Sequence, residues 1–497
     1  MVSLLRGMSN RTSMAQGFMR LAILTVMGLL PGAHAHADFL QKRVKQFSLN
    51  DTNLPAAVRM DAKTQPWTDS ERGPVPDLKL FARDKSGIAW LGGPEGAARF
   101  DPAAENSWER WQFFAGPRWL KDNFVRNIVL DERAGGQRAW IRTDTGVSLI
   151  EWQPTTLAAK AAHFEELIER HHGRHGFVAD CRLREPGNLE TSFATDNDND
   201  GLWTAMYLAA QSYRFAVTHD PDARQKATRA FEAMVRLLDI TGQPGFPARS
   251  FAAAGEPHDN GEWHPTPDGQ WSWKGDTSSD EIVGHYYGHA LFYDLVADEA
   301  QKETIRRVLR AITNHLINND YDLIDLDGQP TRWGQWSERY FATEEGRYER
   351  ALRSLELLAF LKTAHHVTGD EKYAQAYAGR VARGYAGFVR EYRRWAGGGE
   401  INFSDDELYY LSADPLLRYE REPGLRREYL DSVRFVWAEI RPDMNPLWNF
   451  ISSASGGGRG GRTRQTFGRE SKVEQANGDP VQHREADWPS GQAEARP

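Results

Sequence analysis

The segment TDNDNDGLWT places three aspartates, Asp196, Asp198 and Asp200, on alternate positions and ends in Gly201 before an apolar helix. EF-hand calcium loops carry oxygen ligands at positions 1, 3 and 5 and glycine at position 6. They also need a bidentate Glu at position 12, where this chain has Tyr207. We therefore predict no EF-hand, no metal site and no cofactor, with a simpler calcium site as the alternative.

Helix capping explains part of this acidic run. Asn199 or Asp200 can accept hydrogen bonds from first-turn N–H groups and complement the positive end of the helix. One such residue is enough for a cap, so capping leaves the neighbouring carboxylates and amides, including Asn197, unexplained. At least one of these side chains is expected to contact a ligand.

A second polar segment, GDTSSDEIVGHYYGH, carries Asp276, Asp280 and Glu281 before an apolar helix. Capping by the first turn is again the simpler explanation. His285 follows Glu281 by four residues, which puts both on one helix face, and Tyr286 is next to it. A histidine satisfied within the core is the alternative for His285.

Tryptophan is abundant, with 17 residues in the chain, and several lie in polar segments that contain glycine. Trp271 and Trp273 lie just before the second acidic segment, and Arg332, Trp333 and Trp336 follow the turn DLDGQP. The apolar faces of sugar rings stack on flat aromatic side chains, so we predict these five residues to bind substrate. Packing of the core and of the loop is the alternative.

The elements that must position these residues are helices from about Thr156 to Ile451, where the apolar period lies between three and four. Segments that are apolar on nearly every face, such as LWTAMYLAAQSYRFAV and EIVGHYYGHALFYDLVA, alternate with one-sided amphipathic helices. Short connections that contain Asp join each pair, which predicts antiparallel helix hairpins.

Before the helices, a unit of short strands occurs twice between about residues 77 and 152. Trp90, Gly96 and Phe100 match residues of the second copy at one constant offset. The pattern D-x-x-G-x-x-W-x-G…G-x-x-R-x-D resembles the propeller repeats of extracellular sensor regions in two-component regulators. We predict a small antiparallel β module of two propeller-like repeats.

The helical region resembles the six-hairpin (α/α)6 toroid superfamily of glycoside hydrolases and polysaccharide lyases. The segments DNDNDGLWT, KGDTSSDEIVGHYYG and DLDGQPTRWGQW carry this resemblance, together with the alternation of helices. The fold class it implies is mainly α, an (α/α)6-type toroid. We count about ten helices where the toroid has twelve, which predicts a toroid one hairpin short. The resemblance also implies that loops at the starts of inner helices line the cleft.

Glycosidic hydrolysis needs one carboxylic acid to protonate the leaving oxygen and one carboxylate to activate water or attack. With loops from different inner helices lining the cleft, we predict Asp198 or Asp200 opposite Asp280 or Asp276 as the catalytic pair. The predicted function is a glycoside hydrolase that cleaves an oligosaccharide or polysaccharide.

Two alternatives stay open. A polysaccharide lyase would draw its base and acid from His285, Tyr286 and Tyr287, with Asn197, Asn199 or Arg249 at the carboxylate of a uronic acid. A periplasmic glycan-binding or sensor-type protein without catalysis would also fit the propeller-like repeats.

Composition supports a folded chain, because 497 residues with 40% hydrophobic content suffice for two or three domains. The net charge of −8, with no stripe of Lys and Arg, argues against a nucleic-acid partner. Cys181 is the single cysteine and excludes an internal disulfide.

The ends of the chain predict export. Residues 1–37 combine three arginines, an apolar run and small residues before a cleavage site. This pattern is typical of a signal peptide and of a periplasmic or secreted protein with no remaining membrane span, and an uncleaved anchor is the alternative. Residues 38–76 are predicted to be a linker, 77–152 the β repeats and 156–452 the toroid. Residues 453–497 are predicted to be a low-complexity disordered tail, at which we expect the toroid to be interrupted.

Overall fold

A computed structural model describes residues 39–62, 67, 73, 77–104, 110–131, 138–185, 188–394, 401–443 and 445–456. The predicted signal peptide lies outside the described residues, and so does the predicted tail from residue 457 onward.

Two four-stranded antiparallel sheets precede the helices. Their strands are β1 Phe39–Phe47, β2 Leu80–Arg83, β3 Ala89–Gly93, β4 Gly96–Phe100, β5 Trp111–Phe114, β6 Val125–Leu130, β7 Arg138–Thr143 and β8 Val147–Thr155. One sheet has the order β2-β3-β4-β5 and the other the order β1-β8-β7-β6. Trp90 lies on β3 and Trp140 lies on β7, so the sequence repeat corresponds to equivalent strands, and the propeller assignment stays a prediction.

The two sheets share one hydrophobic core. The Trp90 ring stacks on Phe114 with centroids 5.0 Å apart and meets Trp152 of the other sheet edge-on at 5.9 Å. Burial of these rings fixes the sheets against each other, because large aromatic side chains dominate the apolar area removed from water.

The predicted linker differs from the structure at Phe39–Phe47. These 9 residues form β1, and each of them pairs with β8 in one continuous antiparallel register. The partner strand lies about a hundred residues further along the chain, so nothing in the local sequence reports the pairing. The β module therefore begins earlier than the two repeats alone indicate.

Thirteen helices occur in the described part of the chain. They are α1 Gly116–Trp119, α2 Leu157–His171, α3 Asp200–Thr218, α4 Pro221–Asp239, α5 Ser279–Leu295, α6 Glu299–Asn318, α7 Glu338–Phe341, α8 Glu344–Thr368, α9 Glu371–Ala382, α10 Tyr385–Val389, α11 Phe403–Tyr419, α12 Pro423–Ile440 and α13 Pro446–Ala454. Without the short α1, α7 and α10, ten helices remain, which confirms the predicted number. The mainly α fold class is confirmed as well.

Short strands lie in the segments of the helical region that precede the inner helices. They are β9 Gly173–Arg174, β10 Phe177–Val178, β11 Asp180–Leu183, β12 Ser192–Thr195, β13 Phe251–Ala253, β14 Trp263–Pro265, β15 Trp271–Lys274, β16 Asp322–Ile324 and β17 Pro330–Gln335. β13, β15 and β14 form one sheet, and β16 and β17 form a hairpin.

Four helix hairpins build the larger unit: α3 with α4, α5 with α6, α8 with α9 and α10, and α11 with α12. The predicted Asp caps occur at two of the turns. Asp220 caps α4, and Asp298 forms a complete capping box with Gln301 at α6. Asp370 occupies the cap position of α9 without a side-chain capping bond.

The first helix of each hairpin lies inside. Between α3 and α5 the backbones come close, because a Cβ added at Gly284 would lie 3.0 Å from the Cα of Leu202. α5 meets α8 where the Tyr286 ring stacks on Phe360 at 4.5 Å, and α11 packs along α8. The starts of these inner helices therefore lie within reach of one another.

A membrane-spanning helix needs a long and continuously apolar segment, and none of the helices in the described residues has one.

Candidate active site

The acidic run before α3 is held to β15 by one buried lysine. The Lys274 ammonium is 2% exposed and lies 3.1 Å from Asp196 and 2.7 Å from Asp198. Asp196 is also buried and accepts the N–H of Asp259 at 2.7 Å. Asp198 remains 58% exposed, so of these two carboxylates it is the one that faces solvent.

Asp200 is enclosed by its own partners. Its Oδ2 accepts a hydrogen bond from the Ser250 hydroxyl at 2.5 Å, and Arg174 lies 3.5 Å away. Burial raises the pKa of Asp200 to about 7, although the Ser250 bond and the Arg174 charge oppose this shift. A carboxyl group in this position is half protonated near neutral pH.

The amides of the run organise the loop. Asn197 donates to the Asp180 carboxylate at 2.6 Å and accepts the N–H of Asn199 at 2.8 Å. Asn199 occupies the cap position of α3, but its side chain makes no capping hydrogen bond. The side-chain cap that the sequence predicts for Asn199 is therefore absent. Both amides stay predicted substrate contacts.

Asp276 ties two loops together. Its backbone is in the left-handed region, with φ 47°, its N–H donates to Asp325 at 2.8 Å and its carboxylate accepts the N–H of Arg332 at 2.9 Å. The side chain thus supports the β16–β17 hairpin.

The predicted aromatic contacts differ in accessibility. Trp273 and Trp336 are buried, while Trp271 and Trp333 are partly exposed. The guanidinium of Arg236, on outer helix α4, lies 3.7 Å from the centroid of the Trp271 ring. The guanidinium of exposed Arg332 lies 4.5 Å from the centroid of the Trp333 ring.

Asp280, at the start of α5, faces the start of α11. The Ser404 hydroxyl on α11 donates to the Asp280 carboxylate at 3.3 Å. Burial, followed by the negative charge of Asp280, raises the pKa of Glu407 to about 7. Burial also raises the pKa of Asp405 to about 6, with the Asp280 charge acting in the same direction. Asp405 and Glu407 are both partly exposed.

Inner helix α8 contributes the third side of this cluster. Glu356 is fully buried and accepts a hydrogen bond from Trp336 Nε1 at 2.7 Å and one from Arg353 at 3.1 Å. Burial raises its pKa to about 7, and the Asp280 charge contributes to that rise. We call Asp280, Glu356, Asp405 and Glu407 the carboxyl cluster.

Glu281 joins the carboxyl cluster to the acidic run. It is fully buried against Gly201 in the first turn of α3, and burial raises its pKa well above the usual range. The charges of Asp280 and Asp200 act in the same direction, whereas the Arg249 guanidinium opposes them. Arg249 also lies 3.5 Å from Asp198. The predicted carboxylates Asp198, Asp200 and Asp280 therefore belong to two neighbouring groups that meet at Asp280 and Glu281, whereas Asp276 supports the β16–β17 hairpin.

Close packing at this junction gives a testable expectation for stability. A Cβ at Gly201 would overlap the Glu281 carboxylate and approach Leu237 to 2.9 Å. We expect Gly201→Ala to lower the free energy of unfolding by about 1–3 kcal/mol, measured by urea denaturation. The matched control is Gly379→Ala on α9, where the added Cβ has nothing within 4 Å; it should be stabilising by roughly 0.5–1 kcal/mol. Equal effects of the two changes would contradict this packing.

The raised pKa of Asp200 makes stability depend on pH. Its folded-state pKa is about 7 against 3.8 in the unfolded chain, so the folded state binds more protons between these values and stability falls as pH rises through that window. Relative to the wild type, Asp200→Asn should gain roughly 2.6 kcal/mol between pH 5 and pH 8 in urea unfolding. Asp327→Asn, in the exposed turn after β16, should parallel the wild type. A parallel course for Asp200→Asn would disprove the assignment.

The residues predicted for elimination chemistry lie in the interior. His285 is fully buried, and burial together with neighbouring His289 lowers its pKa well below the usual range. The Tyr286 hydroxyl lies 2.6 Å from that of Thr313, behind the inner ring of helices. His285 therefore lies in the core, but neither of its ring nitrogens has a hydrogen-bond partner among the described residues, so it differs from the satisfied core histidine that was the alternative.

Sequence reasoning did not find the residues from α8 and α11. One signal was present, because SDDE at 404–407 on α11 repeats the pattern SSDE at 278–281 on α5. Glu356 carries a second signal, since it is a charged residue inside the apolar segment LELLAF. Within the described ranges, no group of three or more His, Cys, Asp or Glu side chains has an arrangement that fits a metal ion.

Comparison with known proteins finds solved structures of low similarity. No protein-family model matches this chain, and no curated protein sequence matches it significantly. A single mutant of a thermostable endoglucanase from Alicyclobacillus acidocaldarius shares 13% identity, over 78% of this chain and 79% of that chain, with a TM-score of 0.38. A family 76 glycoside hydrolase from a bovine Bacteroides thetaiotaomicron strain shares 10% identity over 81% and 98% of the two chains, with a TM-score of 0.29. Neither likeness assigns an activity to this chain.

Proposed function

We propose that this chain is an exported carbohydrate-active enzyme that hydrolyses glycosidic bonds of an oligosaccharide or polysaccharide. One observation carries the proposal: the start of α5 contacts the start of α11 through the hydrogen bond from Ser404 to Asp280, and the partly exposed acids Asp280, Asp405 and Glu407 lie at these two helix starts. Hydrolysis of a glycosidic bond requires two carboxyl groups in different protonation states.

Glu407 is the residue we assign as general acid. Its pKa of about 7 keeps the carboxyl group largely protonated in mildly acidic solution. Burial and the negative charge of Asp280 both raise this pKa. In the reaction the Glu407 proton passes to the leaving oxygen as the bond from that oxygen to the anomeric carbon breaks.

Asp280 or Asp405 supplies the second carboxylate. It either removes a proton from the attacking water or attacks the anomeric carbon itself, which gives inversion or retention respectively. Proton NMR of the first anomer released distinguishes these outcomes. Asp198 and Asp200, which the sequence predicted as one member of the catalytic pair, lie in the neighbouring acidic group, where the 58% exposed side chain of Asp198 is available to sugar hydroxyls.

The assay that tests the function uses a panel of neutral and uronic-acid glycans. New reducing ends without absorbance of an unsaturated uronate support hydrolysis. That absorbance would instead support the lyase alternative, and Tyr286→Phe or His285→Ala would then abolish it. Binding detected by calorimetry, with no cleavage over days at high protein concentration, would support a glycan-binding protein.

Export is part of the proposal and rests on the signal-like residues 1–37. Expression of the full chain in a bacterium and fractionation would test it. Recovery of a shortened chain in the periplasm or medium supports export, whereas a full-length chain in the cytoplasm contradicts it.

A further inference from the structure

Lys274, on β15, is a buried cation in direct contact with the acidic run before α3. Its side chain is 2% exposed, and its ammonium lies 3.1 Å from the Asp196 carboxylate and 2.7 Å from the Asp198 carboxylate. Burial of an ammonium group is unfavourable unless opposite charges and hydrogen bonds compensate it. The two carboxylates supply both, so this contact joins the segment before α3 to the strand before α5.

The backbone fixes the position of this ammonium. The Lys274 N–H donates to the Ser250 carbonyl at 2.9 Å, and the Lys274 carbonyl accepts the N–H of Arg249 at 2.9 Å. β15 is the central strand of its sheet, and Lys274 pairs with Trp263 of β14 on the other side. The lysine is therefore held from both neighbouring segments, and Arg249 lies next to it along the sheet.

The segment between β13 and β14 closes over the lysine. The Asp259 N–H donates to Asp196 at 2.7 Å, and the Trp263 ring centroid lies 5.4 Å from the ammonium. Gly261 packs on the lysine stem with φ 143°, and a Cβ there would lie 2.4 Å from Cε of Lys274. Any side chain at this position would collide with the stem, so the enclosure requires glycine.

The charges of this group balance. Asp196 and Asp198 carry two negative charges, and Lys274 and Arg249 carry two positive charges, with Arg249 3.5 Å from Asp198. Asp196 is buried, whereas the Asp198 side chain is 58% exposed. The two cations therefore hold one carboxylate that is enclosed and one that faces solvent.

The third aspartate of the run turns away from the lysine. Asp200 accepts the Ser250 hydroxyl at 2.5 Å and lies 3.5 Å from Arg174. A calcium ion takes about six to eight oxygen ligands, whereas an ammonium is a compact charge with three N–H donors and no acceptor. Two converging carboxylates thus suit the lysine and are too few for the ion.

We propose that the Lys274 ammonium is the built-in cation of the acidic run, in the place that a calcium ion takes in an EF-hand loop, and that it is a positioning residue which holds the Asp198 carboxylate towards the substrate. The run then needs no metal ion to keep its shape. The positioning part rests on the hydrolytic function proposed above.

A purely structural lysine gives the comparison. Lys226 on α4 also bridges two carboxylates, at 2.9 Å from Glu165 and 3.0 Å from Asp222, and neither belongs to the acidic run or to the carboxyl cluster. Removal of one partner from a group of this kind is destabilising because it leaves charge uncompensated. Loss of either lysine should therefore lower stability, but only the loss of Lys274 should weaken substrate binding.

The first experiment measures stability without any substrate. Urea unfolding midpoints of the full chain are compared in millimolar calcium and in EDTA. The wild type should have the same midpoint in both solutions, because Lys274 already lies between the two carboxylates. Lys274→Ala should lower the midpoint in EDTA, and calcium should raise it again, since the variant offers space beside two unpaired carboxylates. Lys274→Met fills that space and should not respond to calcium.

Two results of this experiment would overturn the proposal. One is a wild-type midpoint that falls in EDTA, and the other is an alanine variant whose midpoint is the same with and without calcium. If Lys274→Ala does not fold in EDTA, its folding in calcium supports the proposal. If it folds in neither solution, the wild-type comparison and the second experiment decide.

The second experiment uses hydrolysis of whichever glycan the wild type cleaves. Lys274→Met combined with Asp196→Asn removes one buried charge of each sign, which limits the loss of stability. This double variant should raise KM at least about tenfold, as expected for a lost hydrogen bond to a charged group, with kcat changed less than about threefold. Lys226→Met is the matched control and should keep the wild-type KM.

Asp198→Asn tests whether the lysine acts through this carboxylate. Alone it should raise KM as much as the double variant does, and its addition to the double variant should have no further effect, because both changes remove one contact. An unchanged KM in the double variant, or effects of Asp198→Asn and of the double variant that multiply, would contradict the positioning role.

The two proposals fail in distinguishable ways. If no glycan is cleaved, the hydrolytic function fails, and the unfolding experiment still decides whether Lys274 is the cation of the acidic run. If the glycan is cleaved and KM does not respond to the loss of Lys274, the positioning role fails alone.

Discussion

Glu407→Gln is expected to lower kcat by about 10²–10⁴-fold on a natural glycan, because general acid catalysis contributes a factor of that size. The amide keeps the shape and the hydrogen-bonding capacity of the side chain but has no proton to transfer. Folding should be preserved, since the Glu407 side chain is partly exposed. The loss should therefore appear in kcat, with KM nearly unchanged.

Two further measurements make this test specific for the acid role. The wild-type rate should fall as pH rises through about 7, where Glu407 loses its proton, and the variant should lack this limb. An aryl glycoside with a good leaving group needs no protonation, so the variant should cleave it with a much smaller loss. Glu439→Gln, on exposed outer helix α12, should behave as the wild type. A loss that is equal for both substrates would exclude Glu407 as the acid.

The helical fold was accessible from sequence because its signals are local. The apolar period of each helix, the short connections and the caps formed by Asp220 and Asp298 all lie within single hairpins. Each of these signals correctly predicts a helix or a turn between helices. Strand β1 was not accessible, since its partner β8 is about a hundred residues away. Pairings of this kind depend on the whole fold rather than on propensity.

The candidate site could be predicted from the sequence only in part, for a similar reason. Asp280 could be singled out because it lies in a polar segment directly before an apolar helix. In the structure it belongs to the carboxyl cluster. Its neighbour Ser404 is 124 residues further along the chain, and only the packing of α5, α8 and α11 brings them together. The side chains of His285 and Tyr286 show the opposite limit. An inner helix that is apolar on all faces gives no information about its rotation, so the side chains that face the cleft cannot be told from those that face the core.

Asp280→Asn is the variant that tests both the chemistry and the electrostatic coupling of the cluster. If Asp280 is the nucleophile or base, kcat should fall by roughly 10³-fold or more, as expected for loss of one of two catalytic carboxyl groups. The negative charge of Asp280 also raises the pKa of Glu407, Asp405 and Glu356. Its removal should therefore shift the alkaline limb of the residual activity to lower pH.

The partner variants separate a catalytic Asp280 from a merely electrostatic one. Ser404→Ala removes a single hydrogen bond to Asp280 of 3.3 Å and should cost only a few-fold in kcat, since one such bond contributes about 1 kcal/mol. Asp431→Asn, on exposed α12, controls for the change of charge and should leave both rate and pH profile unaltered. If Asp280→Asn shifts the alkaline limb but reduces kcat less than about tenfold, only the electric field of Asp280 contributes to the reaction, and its oxygen atoms do not. Asp280 would then modulate the pKa of its neighbours, and Asp405 would be the second catalytic carboxylate.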